Sequence, residues 1–222
     1  NLFKKFGKHI VLEDLTFDVE KGDLLGVIGL SGSGKTTLLN ILLRLYTEQE
    51  GGIFVDGVKI EKDNIKAWYD LVSYVPQNIT LLDGAISENI AFGIKPADIN
   101  KNLLNQVIER SQLKDFVDEL PKKEEEAIGE KGIKLSGGQR QRIGIARALY
   151  HGGEVLIFDE ATSSLDSETE RMVTDSINSI SHKNLTIIIV AHRMQTLKYC
   201  DKIYKIENGK MNTSPLVYSD IA

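Results

Sequence analysis

Four short stretches of the chain place apolar residues at successive positions: Leu24–Ile28, Leu71–Val75, Val155–Phe158 and Thr186–Val190. Unbroken apolar runs of this length mark strands covered on both faces, as in a parallel sheet, and helical patterns lie between them. The order predicts an α/β fold whose mainly parallel sheet is flanked by helices. Each run stops at residues capable of chemistry: Gly29 onward, Gln77, Asp159-Glu160 and His192. Ligands of open α/β sheets bind at the carboxyl ends of the strands, so four polar sets at four such ends predict one shared site.

Other segments follow a different rhythm. Ile10–Val19 alternates roughly, and Gly51–Ile60 contains Asp56-Gly57, a hairpin turn signal. Together they predict an N-terminal antiparallel β lobe beside the parallel sheet. From about Ile86 to Gly129 the spacing turns helical, with Leu103, Leu104, Val107 and Ile108, then Leu113, Phe116, Val117 and Leu120. This is read as a helical insertion, with Glu124–Glu126 a solvated surface run. Asn208-Gly209 predicts a late hairpin, and the residues from Asn212 onward carry no strong pattern.

The chemistry begins at Gly29-Leu30-Ser31-Gly32-Ser33-Gly34-Lys35-Thr36, which fills every fixed position of G-x-x-x-x-G-K-S/T. It follows a predicted strand and precedes an apolar helix (Leu38, Leu39, Ile41, Leu42, Leu45), the context such a loop requires. The glycines let the backbone curl so that N–H groups point inward at phosphate oxygens, and the helix N-terminus adds partial positive charge. Lys35 supplies a full charge for the β- and γ-phosphates, and Thr36 a hydroxyl for Mg²⁺, a hard ion that prefers oxygen. ATP and Mg²⁺ are therefore the expected cofactors, with Gly29, Ser31, Gly32, Ser33, Gly34, Lys35, Thr36 and Thr37 as candidate nucleotide contacts. The run Val155–Phe158 ends in two adjacent carboxylates, costly at a buried strand end unless they meet a cation or a water with a task. Asp159 suits Mg²⁺, and Glu160 suits a general base facing the attacking water. A second glycine-rich helix start, Leu135-Ser136-Gly137-Gly138-Gln139, makes sense if backbone must approach an anion closely.

Bulk properties narrow the function. Hydrophobic residues make up 41% and charged residues 27% of the 222, the balance of a soluble globular protein with a substantial core. A net charge of −5 disfavours nonspecific nucleic-acid binding. The lone Cys200 cannot form an internal disulfide. No apolar run approaches the ~20 residues of a membrane span, and no signal peptide is visible. The chain begins at Asn1 without an initiator Met, which suggests a domain cut from a longer polypeptide.

Taken together, the motifs resemble the nucleotide-binding domain of an ABC transporter. Gly29–Thr36 is similar to that family's Walker A loop, Leu156–Glu160 to its Walker B strand and Leu135–Gln139 to its signature. Gln77, after Tyr74-Val75-Pro76, is similar to the Q-loop glutamine, and Ser163-Ser164-Leu165-Asp166 to the D-loop, with Ser164 where Ala is more usual. His192, in Val190-Ala191-His192-Arg193, is similar to the switch histidine, and Phe6 sits where the family places an aromatic that stacks on adenine. The resemblance spans about Leu2 to Met211. It implies a P-loop NTPase core with β lobe over 1–85 and 146–212, a helical subdomain with the signature over 86–145, and a tail over 213–222. It further implies Glu160, His192, Lys35 and Gln77 in catalysis, with Thr36, Gln77 and Asp159 at the metal. Phe6, Ser136, Gly137, Gly138, Gln139 and Asp166 would join the Walker A residues at nucleotide. Asp166 is also placed to cap the helix that Ser167 starts.

The same resemblance implies a head-to-tail dimer with a second nucleotide-binding domain, transmembrane partner domains, and a position at the cytoplasmic face of the inner membrane. Leu81–Ile90 and Ile128–Gly132 resemble exporter-type domains, with Glu130 in the segment that would contact the membrane domain. The wording is similar to bacterial lipid, drug and lipid-linked-oligosaccharide exporters. The competing expectation is a non-transport ABC ATPase of DNA repair or translation. Such proteins carry coiled-coil insertions, zinc modules or tandem domains, none of which is visible in this sequence.

Overall fold

The computed structural model describes residues 1–220 except 130, 131, 133, 134, 163, 164, 182, 183 and 213. Glu130, Ser163, Ser164 and the end of the tail therefore lie outside the described residues. The main sheet has six strands, in the order β10-β9-β3-β8-β7-β6. Its strands are β3 (Leu24–Gly29), β6 (Val72–Val75), β7 (Val155–Asp159), β8 (Thr186–Ala191), β9 (Lys202–Glu207) and β10 (Lys210–Met211). All neighbours pair parallel except β10, which runs antiparallel to β9. The four apolar runs of the sequence are thus four parallel strands, with Leu71 closing a helix rather than opening β6.

Strand periodicity explains the layering. In β7 and β8, Leu156, Phe158, Ile187 and Ile189 face one core, while Ile157, Ile188 and Val190 face another. Side chains alternate across a pleated sheet, so covering both faces requires apolar residues at every position. All six residues of β8 are buried. At the edge, β6 departs from this rule: Tyr74 is 39% exposed. The helices packing on the first face are α3 (Ile86–Ile90), α4 (Lys101–Arg110), α5 (Lys114–Asp118), α6 (Gly137–Tyr150) and α7 (Ser167–Ile180). On the other face lie α1 (Lys35–Leu42) and the ladder of β1 (Leu2–Phe6) with β2 (His9–Leu15).

The antiparallel lobe consists of that ladder and a separate hairpin, β4 (Phe54–Val55) with β5 (Val58–Lys59), turning at Asp56 and Gly57. Both turn residues have positive φ (49° and 78°), the type I′ geometry that Asp-Gly favours. Asn208 and Gly209 repeat it between β9 and β10. Between the lobe and β6, α2 (Ile65–Leu71) is pinned to the end of α1 by Trp68 Nε1–H donating to the Leu42 carbonyl at 2.8 Å. The helical insertion enters the sheet side through α6, whose 14 residues run unbroken from the glycine pair to Tyr150. Half-buried Arg147 ties α6 to the start of the insertion. It donates to the carbonyls of Asn89 (2.8 Å) and Thr80 (3.1 Å), and its guanidinium lies 5.0 Å from the Phe92 ring centre.

Candidate nucleotide site

At the carboxyl ends of β3, β6, β7 and β8 opens a cleft of about 400 Å³. It is lined by Val11, Ser31, Gly32, Gly34, Lys35, Thr36, Thr37, Gln77, Asp159, Glu160 and His192. Ten of these eleven are sequence candidates drawn from four separate segments; Val11 is the addition. The sheet accounts for the convergence, because parallel strands deliver their C-terminal residues to a single edge.

The loop from Gly29 to Lys35 is shaped by its glycines. Gly32 (φ 79°) and Gly34 (φ 111°) occupy left-handed backbone, and a Cβ on Gly34 would lie 2.5 Å from Leu12 Cδ2 and 2.9 Å from the Val11 carbonyl. Gly34 is also the N-cap of α1, and it offers no side-chain bond to the helix's first N–H groups. A helix start left without a side-chain cap, opening into a cleft, is a ready anion site. Lys35 is nearly buried and folds back over the loop, donating to the Gly29 (2.8 Å) and Leu30 (3.1 Å) carbonyls. Burial lowers the pKa of its ammonium, while the facing carboxylates of Glu160 and Asp159 raise it. Gly29 and Ser33 stand behind the cleft wall. The Ser33 hydroxyl is buried without a partner, 2.5 Å from where a Gly29 Cβ would sit.

Opposite the loop, burial raises the Asp159 carboxyl above its ordinary range, against the pull of Tyr74, Lys35 and His192. Tyr74 donates its hydroxyl to Asp159 Oδ2 at 3.0 Å, and burial together with that carboxylate pushes the phenol pKa up. Sequence reasoning assigned Tyr74 no role; its signal was a phenol three residues before Gln77, in a strand otherwise made of two valines and Ser73. Glu160 has positive φ (46°), unusual for a non-glycine residue, and its N–H donates to the Val190 carbonyl at 2.8 Å. That bond ties the end of β7 to β8 and sets Glu160 Oε1 2.6 Å from His192 Nε2. The Thr36 hydroxyl, the Asp159 carboxylate and the Gln77 amide carbonyl form an all-oxygen donor set on one cleft, which suits Mg²⁺.

The remaining candidates lie away from this cleft. Phe6 is 46% exposed at the end of β1, edge-on to Tyr46 (5.5 Å between centres), with Lys4 Nζ 5.1 Å from its ring centre. Ser136 and Gln139 cap each other at the start of α6, through Gln139 N–H to Ser136 Oγ (3.2 Å) and Ser136 N–H to Gln139 Oε1 (2.8 Å). The glycines between them have a packing reason within the chain. A Cβ on Gly137 would lie 2.8 Å from Leu165 Cδ2, and one on Gly138 would overlap Thr169 Cγ2. Asp166 caps α7, accepting from Thr169 N–H (3.1 Å) and Thr169 Oγ1–H (2.7 Å), and these bonds hold its carboxyl pKa low.

A glycine-curled loop between strand and helix, facing paired carboxylates at the next strand ends but one, defines a P-loop NTPase. Residues 12–163 match the family model described as ABC transporter. The chain belongs to the ABC transporter family, as its ATP-binding ATPase domain. It is 42% identical over 206 residues to an ATP-dependent lipid A-core flippase of Francisella novicida, covering 93% of this chain and 34% of the relative. A multidrug resistance ABC transporter ATP-binding and permease protein of Lactococcus lactis is 37% identical over 204 residues, covering 92% of this chain and 34% of the relative. The chain thus spans about a third of the length of these curated relatives. Among solved structures, that of a bacterial Atm1-family ABC exporter with ATP bound matches with a TM-score of 0.86 and 31% identity, covering 100% of this chain and 38% of that one. Among the described residues, no helix is long and apolar enough to cross a membrane.

Proposed function

We propose that this chain is the Mg-ATP-hydrolysing motor of a lipid or drug exporter, working at the cytoplasmic face of a membrane. The observation carrying this reading is the single cleft that gathers Lys35, Thr36, Gln77, Asp159, Glu160 and His192. The uncapped start of α1 and the Lys35 ammonium would bind the β- and γ-phosphates. Thr36, Asp159 and Gln77 would hold Mg²⁺, which would supply neutralising charge to the nucleotide's phosphates. Glu160 would take the proton of the attacking water as that oxygen bonds to the γ-phosphorus and the bond to ADP breaks. His192, 2.6 Å from Glu160 Oε1, would orient that carboxylate and meet the γ-phosphate.

Phe6 would carry the adenine on its exposed face. The start of α6 lies off the cleft of its own chain, so Ser136–Gln139 would serve the nucleotide of a second domain in a head-to-tail dimer, with Asp166 at that interface. Gln77 and the helical insertion would pass the change to transmembrane partners, and residues 86–145 would move as the coupling unit. The exporter names of the relatives, over nine-tenths of this chain, favour this over a DNA-repair or translation ATPase.

Glu160→Gln tests the reading. The amide keeps the shape of Glu160 but not its basicity, so turnover should fall about 10²- to 10⁴-fold, while ATP binding persists and dimers accumulate. Steady-state hydrolysis at the wild-type rate would remove Glu160 from the reaction.

A further inference from the structure

Next to Glu160 and His192 in the chain is a polar cluster that the reaction scheme does not use, with Glu170, Thr162 and Thr196 buried and the Arg193 side chain 42% exposed. Glu170, on the first turn of α7, is 2% exposed. Its Oε1 accepts from Thr196 Oγ1 (2.9 Å) and Thr162 Oγ1 (3.3 Å), and its Oε2 accepts from Arg193 Nη1 (2.7 Å). The two threonine hydroxyls are themselves 2.8 Å apart, and Arg193 Nη1 also donates to the Leu165 carbonyl at 3.0 Å. A buried carboxylate is costly, and it is retained where donors satisfy it and its geometry serves something.

The placement indicates what it serves. Thr162 lies two residues after Glu160, and Arg193 immediately after His192. Both segments have left the sheet by then, so strand pairing no longer fixes them. Glu170 binds one segment through Thr162 and the other through Arg193 and Thr196, and Arg193 closes the ring at Leu165. Leu165 and Thr169 in turn abut Gly137 and Gly138 at the start of α6.

We propose that Glu170 and Arg193 are positioning residues, forming a clasp that holds His192 against Glu160. This rests on the assignment of Glu160 and His192 to hydrolysis. Neither Glu170 nor Arg193 lines the cleft, and the clasp acts by fixing the 2.6 Å contact between the two side chains. A misplacement of about 1 Å at a reacting group costs on the order of a hundredfold in rate.

The experiment measures kcat, KM, ATP affinity and thermal midpoint on the full chain for Glu170→Gln, Arg193→Ala, Arg193→Lys and His192→Ala, and for Arg193→Ala combined with His192→Ala. Glu170→Gln and Arg193→Ala should lower kcat at least about tenfold with ATP affinity within about twofold, and Arg193→Lys should recover most of the loss. On the residual rate of His192→Ala, Arg193→Ala should cost little more, because the clasp then has nothing left to position. If His192→Ala is impaired but the Arg193→Ala loss multiplies with it in full, the clasp acts elsewhere and the inference fails alone. The same holds if the clasp variants lose ATP affinity and kcat together. If His192→Ala hydrolyses ATP at the wild-type rate, the catalytic assignment of His192 fails first and takes the clasp with it.

Discussion

Replacing Gly138 by Ala separates two reasons for a glycine that the sequence cannot tell apart. An added Cβ would overlap Thr169 Cγ2. Thr169 is not free to turn away, because its hydroxyl donates to Asp166 Oδ1 at 2.7 Å while Asp166 also caps α7. Relief must come either from moving α6 off α7 or from breaking the hydroxyl bond. Overpacking of this kind costs about 1–3 kcal/mol, and a lost hydrogen bond about 1 kcal/mol. For a domain of this size, each kcal/mol lowers the thermal midpoint by roughly 2–4 °C. Gly138→Ala should therefore melt between about 2 and 12 °C below wild type in a calorimetric scan. Thr169→Ser removes the offending methyl and keeps the hydroxyl, so the double variant should regain most of that loss. An unchanged midpoint for Gly138→Ala, or no recovery in the double variant, would refute the packing argument. Hydrolysis in the restored double variant then reports on the other reason. Continued inactivity at normal stability assigns the glycine to nucleotide as well as to packing.

Two further outcomes follow from the site and the core. Lys35→Ala removes the charge in the loop and its bonds to the Gly29 and Leu30 carbonyls, so ATP should bind at least about tenfold more weakly by calorimetry; unchanged affinity would contradict the cradle. Burial pushes the Cys200 thiol from 9.0 up to about 12. A thiol harder to ionise when folded leaves stability unaffected below pH 9 and erodes it as pH rises towards 12, because only the unfolded chain gives up its proton. Denaturant titrations at pH 8 and pH 11 should show a larger drop for wild type than for Cys200→Ala, by at most on the order of 3 kcal/mol. Equal drops would mean the thiol is not held protonated.

Much of the site was legible because its chemistry is local. A loop such as Gly29–Thr36 must combine glycine, lysine and hydroxyl within eight consecutive residues, and Asp159-Glu160 must follow a buried strand. What sequence reading missed lies where the local pattern is weak. Strand β9 mixes Lys202, Lys205 and Glu207 with Ile203 and Ile206, since only β10 lies beyond it, and it lacks the unbroken apolar run of a central strand. Strand β1 is short and half polar for a similar reason. Tyr74 read as one more apolar strand residue, although its hydroxyl meets a carboxylate 85 positions away.

The sequence by itself determined the alternation of strand and helix, the phosphate-binding loop, the acidic strand end and the Asn208-Gly209 turn, because each is encoded by neighbours in the chain. Only the tertiary structure decided that Glu160 and His192 touch, that Lys35 turns back onto its own loop, and that Gly137 and Gly138 pack on Leu165 and Thr169. Each of these is a meeting between segments far apart in sequence. Strand order and helix packing bring them together, and neither is written in local periodicity.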